Sequence, residues 1–142
     1  MTQIIVGTET LFGWEALDEV LQAVPRHRLI FSVDMREGQI ISRSRQLANL
    51  NPLDVLGILE REGLYQAILL DLARVGTRRG VNMQLLALAR RRYPDLTLIA
   101  GGGIRNLAEL SALRGLGIDG ALLATALHRG EITPRELRQF LD

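Results

Sequence analysis

The stretch Leu98-Ile99-Ala100-Gly101-Gly102-Gly103-Ile104-Arg105-Asn106 joins an apolar run to three consecutive glycines and then to the start of a helix. The apolar residues predict a strand, and Asn106 predicts a helix N-cap, supported by Glu109 three positions later. Glycines after a strand let backbone N–H groups approach a ligand because no Cβ intervenes, and a helix N-terminus favours an anion. The stretch therefore predicts a phosphate site that includes Gly102 and Gly103. The alternative is that the glycines serve only a tight turn between strand and helix.

The rest of the chain repeats this pairing of a short apolar strand with a longer amphipathic helix. Apolar runs predict strands at 2–6, 29–33, 67–70, 96–100 and 121–124, and apolar spacing predicts helices at 14–24, 52–63, 81–92 and 107–116. A capping box at 133–136 predicts a last helix, and a hairpin strand at 39–42 is expected after the turn Glu37-Gly38. This alternation is typical of parallel βαβ units, and it predicts five units in a single domain, residues 1–142.

Two architectures of the α/β class fit this pattern, an open doubly wound sheet and part of a (β/α) barrel. Both place ligands at the carboxyl ends of the strands, where this chain has small and polar residues: Gly7-Thr8-Glu9, Asp34, Asp71, Gly101-Gly102-Gly103 and Ala124-Thr125. In a nucleotide-binding open sheet the phosphate loop usually follows the first strand. A barrel phosphate site instead lies in the loops after the last two strands, which is where this chain has its glycines and small residues.

Composition argues against several classes of function. The 142 residues are 47% hydrophobic and 23% charged, with a net charge of +1, as expected of one soluble globular domain. The sequence has no basic stripe with interleaved aromatics for nucleic acid, no apolar run of about 18 residues for a membrane span and no signal peptide, so we expect a cytoplasmic location. It has no cysteine, two distant histidines and no lysine among its 17 basic residues. We therefore expect no metal, no Schiff-base lysine and no cofactor.

Five segments, in order through the chain, resemble the (β/α)8 barrel enzymes of histidine biosynthesis. They are Ile5-Val6-Gly7-Thr8, Ile30-Phe31-Ser32-Val33-Asp34-Met35-Arg36-Glu37-Gly38, Gly76-Thr77, Ala100-Gly101-Gly102-Gly103-Ile104 and Ala126-Leu127-His128-Arg129-Gly130. The resemblance is closest to the isomerase members, which act on phosphoribosylformimino-aminoimidazole carboxamide ribotide, and next to the imidazole glycerol phosphate cyclase members. It covers the fourth to the eighth βα units, and so implies a partial TIM barrel, the C-terminal half-barrel plus one unit.

The resemblance implies an acid or base role for Asp34 in an Amadori rearrangement of an aminoaldose to an aminoketose. Opening the ribose needs a proton delivered to the ring oxygen, and forming the enolamine needs a proton removed from the adjacent carbon. The family uses two aspartates, and the partner of Asp34 belongs to a strand outside the matched region. The alternative is that Asp34 only caps the turn before Glu37-Gly38.

The resemblance also implies phosphate or substrate contacts for Gly7, Thr8, Gly102 and Gly103. Ala124-Thr125 stands where the family typically has a glycine before its phosphate-binding helix turn, and Thr125 is a further candidate because its hydroxyl can donate to phosphate. The chain departs from the isomerase members elsewhere. Leu69-Leu70-Asp71 and Val75-Gly76-Thr77 replace segments in which the family has a threonine and an Asp-Gly-Thr. A hydroxyl and a carboxylate are lost there, and Asp71 and Thr77 are kept as secondary site candidates.

Two functions follow from these observations. The first is a divergent ribotide isomerase for a phosphorylated small molecule, incomplete as this chain alone. The second is a non-catalytic module that binds a sugar phosphate or serves as a scaffold. Because five strands cannot close a barrel, their two edges and apolar inner face predict a partner, either a second copy in a homodimer or a complementary barrel half.

Overall fold

The computed structural model of the chain describes residues 2–75 and 79–142. Its strands are β1 (Ile4–Gly7), β2 (Leu29–Arg36), β3 (Gln39–Ile40), β4 (Gln66–Asp71), β5 (Thr97–Gly101) and β6 (Gly120–Ala121). Its helices are α1 (Trp14–Ala23), α2 (Arg45–Ala48), α3 (Pro52–Arg61), α4 (Met83–Arg92), α5 (Leu107–Gly115), α6 (Thr125–His128) and α7 (Pro134–Leu141), with a 3₁₀ turn at Arg26–Arg28. Gly76 and Thr77 lie outside the described residues, so the role of Thr77 stays a prediction.

The sheet decides between the two architectures that the sequence left open. Strands β1, β2, β4, β5 and β6 are parallel neighbours in chain order, and β3 pairs antiparallel with the end of β2. Crossovers between parallel strands are right-handed, so an order without reversal sends every connecting helix to the same face of the sheet. A doubly wound sheet needs a reversal. The structure is therefore an open parallel sheet of the partial-barrel kind, as predicted.

The two faces of the sheet differ in what covers them. Residues of one face, among them Phe31, Val33 and Leu98, join the main core together with helix residues such as Leu56. Alternation along a strand puts Ile30 and its neighbours on the opposite face, which would be the inside of a barrel. Within the described chain, β1 and β6 each pair on one side only. On the inner face next to these edges, Ile5 is 59% exposed and Leu122 is 45% exposed.

Side-chain caps fix the helix starts that the sequence predicts. The Asn106 side chain accepts the backbone N–H of Glu109 at 3.0 Å, and the Asn51 side chain caps α3. Thr133 and Glu136 form the reciprocal capping box that opens α7. Each such cap typically contributes about 1 kcal/mol.

Two predicted strands differ from the structure by three residues at their C-terminal end, and the others by one or two residues at an end. The run at 29–33 continues to Arg36 because β3 pairs with the end of β2, so Asp34 lies inside a strand and not at its end. The strand predicted at 121–124 is present but spans Gly120–Ala121, because the ladder with β5 ends at Ala121 and beyond it only the N–H of Leu122 reaches the carbonyl of Ala100, at 2.9 Å. Since β5 turns away at Gly102, the residues after 122 have no strand to pair with and the chain enters α6 instead.

Backbone packing requires the glycines of the turn after β5. Gly102 and Gly103 have φ values of 99° and 85°, which side chains rarely tolerate. A Cβ on Gly102 would lie 2.3 Å from the carbonyl oxygen of Asp71, and one on Gly103 would lie 2.6 Å from that of Arg74. The turn therefore lies directly against the segment that follows β4, and its glycines have a structural role whatever they bind.

We predict that Gly102→Ala and Gly103→Ala each lower the free energy of unfolding by about 2 kcal/mol or more, from backbone strain and overlap with a fixed carbonyl. Gly115→Ala is the matched control, because it lies in α5 with nothing within 4 Å of an added Cβ, and it should be neutral or slightly stabilising. Urea titrations of the three variants measure the difference. Equal stabilities for all three would contradict the packing argument.

Candidate functional site

Two groups of residues lie at the carboxyl edge of the sheet. One surrounds Asp34 on β2, and the other lines a cavity between the glycine turn and the start of α6. The strand register links them, because Asp34 pairs with Leu70 and Leu70 pairs with Gly101. These three positions form one row across the inner face, with two interstrand spacings, roughly 10 Å in all, from Asp34 to Gly101.

The carboxylate of Asp34 is buried and held at both oxygens. The residue is 7% exposed. The hydroxyl of Ser32, two positions earlier on the same face of β2, donates to Oδ1 at 2.8 Å. The backbone N–H of Glu9, in the loop after β1, donates to Oδ2 at 3.1 Å. Neither of these described contacts is with Glu37 or Gly38, whose N–H groups donate to Asp71 instead, so Asp34 does not cap that turn.

Gly7 and Thr8 lie against Asp34. A Cβ on Gly7 would lie 2.4 Å from Oδ2 of that carboxylate, so the missing side chain gives the aspartate its space. Thr8 is fully buried, and its N–H donates to the carbonyl of Ser32 at 3.0 Å. Its hydroxyl accepts the N–H of Asp34 at 3.0 Å and donates to the carbonyl of Asp34 at 3.3 Å. A contact of these two residues with substrate stays a prediction.

Asp71 caps the hairpin turn, the role that the alternative interpretation gave to Asp34. Its Oδ1 accepts the N–H groups of Glu37 at 3.2 Å and Ala73 at 3.0 Å. Its Oδ2 accepts the N–H of Gly38 at 3.2 Å. With three backbone donors on its carboxylate and only 3% exposure, Asp71 joins the β2–β3 turn to the segment after β4.

A second link between these two segments is an ion pair at the surface. Arg79 donates to the two carboxylate oxygens of Glu37 at 2.5 and 2.9 Å. This hydrogen bonding lowers the pKa of Glu37 below its ordinary value and raises the pKa of Arg79 above its own. The link is therefore present at neutral pH and is lost as the pH falls through the lowered pKa of Glu37. Both side chains are exposed, so the pair orients the hairpin and adds little stability.

The cavity of about 190 Å³ lies where the phosphate site was predicted. It is lined by Leu70, Val75, Gly102, Gly103, Ile104, Leu122, Leu123, Ala124, Thr125, Ala126, Arg129 and Glu131. Three of the predicted phosphate ligands, Gly102, Gly103 and Thr125, are thus brought together, while Gly7 and Thr8 lie at the Asp34 end of the row. The lining is mostly apolar, with the Thr125 hydroxyl and the opposite charges of Arg129 and Glu131.

Sequence reasoning missed two residues of this edge. Ser32 was not predicted as a site residue, because the only indication in the sequence is that it precedes Asp34 by two positions and so lies on the same face of the strand. Arg129 was not predicted as a site residue either, although it follows Thr125 by four positions and so lies one helical turn away. The structure shows that turn, since the N–H of Arg129 donates to the carbonyl of Thr125 at 2.9 Å.

The described residues contain no group of three or more His, Asp or Glu side chains placed to hold a metal ion. In the same part of the chain, none of the helices has both the length and the apolar composition needed to cross a bilayer.

Comparison with known proteins gives one family and a consistent set of relatives. The family described as histidine biosynthesis protein matches residues 1–133. The relatives are named 1-(5-phosphoribosyl)-5-((5-phosphoribosylamino)methylideneamino) imidazole-4-carboxamide isomerase. The proteins from Desulforudis audaxviator, Thermus thermophilus and Lacticaseibacillus casei are 33%, 32% and 29% identical over 94%, 95% and 97% of this chain. These matches cover 52%, 57% and 58% of the three relatives, so the chain spans little more than half their length.

We predict that Asp71→Ala loosens the hairpin, because three backbone N–H groups lose their acceptor at a cost of about 1–3 kcal/mol. The amides of Glu37 and Gly38 should exchange with solvent faster than in the unsubstituted protein, as measured by NMR hydrogen exchange. Asp18→Ala, on the exposed side of α1, is the control and should leave both rates unchanged. Unchanged exchange in Asp71→Ala would contradict the capping role.

Proposed function

This chain belongs to the histidine biosynthesis protein family, and on that basis we propose that it acts in a sugar-phosphate isomerase. The reaction is an aldose-to-ketose rearrangement of the Amadori type on a phosphoribosyl substrate, the substrate class named for its relatives. Because the match spans little more than half of each relative, the proposal concerns the steps that these residues can carry.

The observation that carries the proposal is the row Asp34, Leu70 and Gly101. It sets a buried carboxylate and a glycine-rich turn about 10 Å apart on one face of a parallel sheet. A ribose phosphate can bridge that separation, with its phosphate at the turn and its reacting carbons towards Asp34. Parallel barrels place their chemistry at this edge of the strands.

Asp34 supplies one of the two proton transfers in this proposal. Among the described residues each carboxylate oxygen accepts one hydrogen bond, and a carboxylate oxygen has further lone pairs that can take a substrate proton. The second transfer needs another acid–base group. The resemblance assigns it to a carboxyl of the family barrel on a strand outside the region that this chain matches.

The phosphate lies in the cavity between the glycine turn and α6. Gly102 and Gly103 line this cavity, where backbone N–H groups of their turn would bind the phosphate, and the Thr125 hydroxyl can donate to a phosphate oxygen. Arg129 supplies the positive charge and Glu131 the opposing negative charge. A guanidinium beside donors from two turns supports binding of a phosphate ester, and the Glu131 carboxylate in the same lining opposes it.

The second candidate function is a sugar-phosphate-binding or scaffold module without turnover. It is favoured by Leu70, an apolar residue at the centre of the row, and by Val75 in the lining of the cavity. These residues occupy the segments in which the isomerase members have polar groups. The phosphate end of the site is the same in both functions.

A partner follows from the exposed inner-face residues next to the two strand edges and from those edges themselves. We propose that either a complementary barrel half or a second copy of the chain covers Ile5 and Leu122 and pairs with β1 and β6. Three further parallel strands added to these five would give the eight of a closed barrel.

We predict that Thr125→Val and Arg129→Gln each weaken binding of ribose 5-phosphate about tenfold, because each removes one donor to phosphate. Titration calorimetry on the unsubstituted chain and both variants measures the dissociation constants. Arg135→Gln, on the exposed side of α7, is the charge-matched control and should bind as the unsubstituted chain does. If all four proteins bind equally, the phosphate lies elsewhere.

The isomerase is tested by joining this chain to the three N-terminal βα units of the Thermus thermophilus relative. The expected result is turnover of the carboxamide ribotide, which Asp34→Asn lowers by about 10²-fold or more without loss of ribose phosphate binding. Asp95→Asn is the exposed control. Full turnover in Asp34→Asn would make Asp34 structural, and a folded, ligand-binding hybrid without turnover would favour the binding module.

A further inference from the structure

The Ser32 hydroxyl has a single described side-chain contact, and it is with the reacting carboxylate. Ser32 is 5% exposed and donates to Oδ1 of Asp34 at 2.8 Å, the ordinary length of a hydroxyl hydrogen bond. A buried serine costs free energy unless its hydroxyl makes a hydrogen bond. Asp34 satisfies it here, so the two residues form one unit on the inner face of β2.

The second oxygen of Asp34 is fixed from a different part of the chain. The N–H of Glu9 reaches Oδ2 at 3.1 Å from the loop after β1. Gly7 leaves the space in which that oxygen lies. The carboxylate is thus held between a hydroxyl on its own strand and an amide on the neighbouring loop, one donor for each oxygen.

We propose that Ser32 is a positioning residue that, together with the Glu9 amide, holds the Asp34 carboxylate in one rotamer for proton transfer. This inference rests on the proposed acid–base role of Asp34. Without the hydroxyl, Oδ1 loses its donor and the carboxylate can rotate about χ1 and χ2 away from the substrate. A misplacement of about 1 Å is enough to slow a reaction by up to 10²-fold.

Thr8 provides a contrast within the same corner. Its hydroxyl bonds the backbone N–H and carbonyl of Asp34 and makes no described contact with the carboxylate. Loss of the Thr8 hydroxyl should therefore lower stability through the strand, whereas loss of the Ser32 hydroxyl should change the side-chain rotamer. Thr8 therefore has a structural role in the strand, and Ser32 has a positioning role for the carboxylate.

The first test uses the full chain and needs no turnover. NMR three-bond couplings across Cα–Cβ of Asp34 report its χ1 distribution. We expect one rotamer in the unsubstituted chain and in Thr8→Val, averaging in Ser32→Ala, and recovery in Ser32→Thr, which keeps the hydroxyl. Averaged couplings in the unsubstituted chain, or unchanged couplings in Ser32→Ala, would overturn the proposal.

A double-substitution cycle tests the same geometry by stability. Gly7→Ala places a methyl 2.4 Å from Oδ2 and should lower the melting temperature by several degrees. In the Asp34→Ala background the obstacle is gone, so Gly7→Ala should have little effect there. An equal loss in both backgrounds would mean that the carboxylate does not lie against Gly7, and would overturn the proposed arrangement.

The last arm applies to the hybrid barrel described above. Ser32→Ala should lower kcat about tenfold with KM changed less than twofold, and Ser32→Thr should restore most of kcat. A rise in KM with kcat unchanged would overturn the positioning role. Because the NMR and stability arms do not need turnover, they can succeed where the isomerase proposal fails, and the two failures are distinguishable.

Discussion

The unreversed order of the five parallel strands is the constraint on which the rest of the structure depends. Right-handed crossovers between strands in that order send each connecting helix to one face. The other face is left to strand side chains alone, and the carboxyl ends of all five strands meet at one edge. Both halves of the candidate site, the Asp34 corner and the glycine cavity, exist because this edge is continuous.

Local signals let the sequence predict most of the elements. The helix starts at Asn51, Asn106 and Thr133 depend on a capping side chain within three residues, which a sequence displays directly. Apolar runs likewise predict the buried strands, because the residues that are buried are consecutive in the sequence and can be recognised without knowing which strand pairs with them. The largest differences in strand bounds, at the end of β2 at Arg36 and of β6 at Ala121, depend on a partner strand and not on composition.

The candidate site was predictable in position but not in detail. Strand ends and glycines indicated the carboxyl edge of the sheet, and Gly102, Gly103 and Thr125 line one cavity there. The sequence could not show which aspartate caps the β2–β3 hairpin. Both Asp34 and Asp71 were near turns in sequence, and only the fold shows that the amides of residues 37 and 38 point to Asp71 across 33 to 34 positions.

The absent side chain at Gly7 has a consequence for how this protein can change over generations. Its φ is ordinary, so what restricts position 7 is the carboxylate of Asp34 against it. As long as position 34 is an aspartate, its carboxylate leaves room only for glycine at position 7. Once a smaller residue replaces the aspartate, a larger residue at position 7 is tolerated. The residue at position 7 would then serve as a historical marker, since alanine or serine there would record that the chemistry at position 34 had already been abandoned.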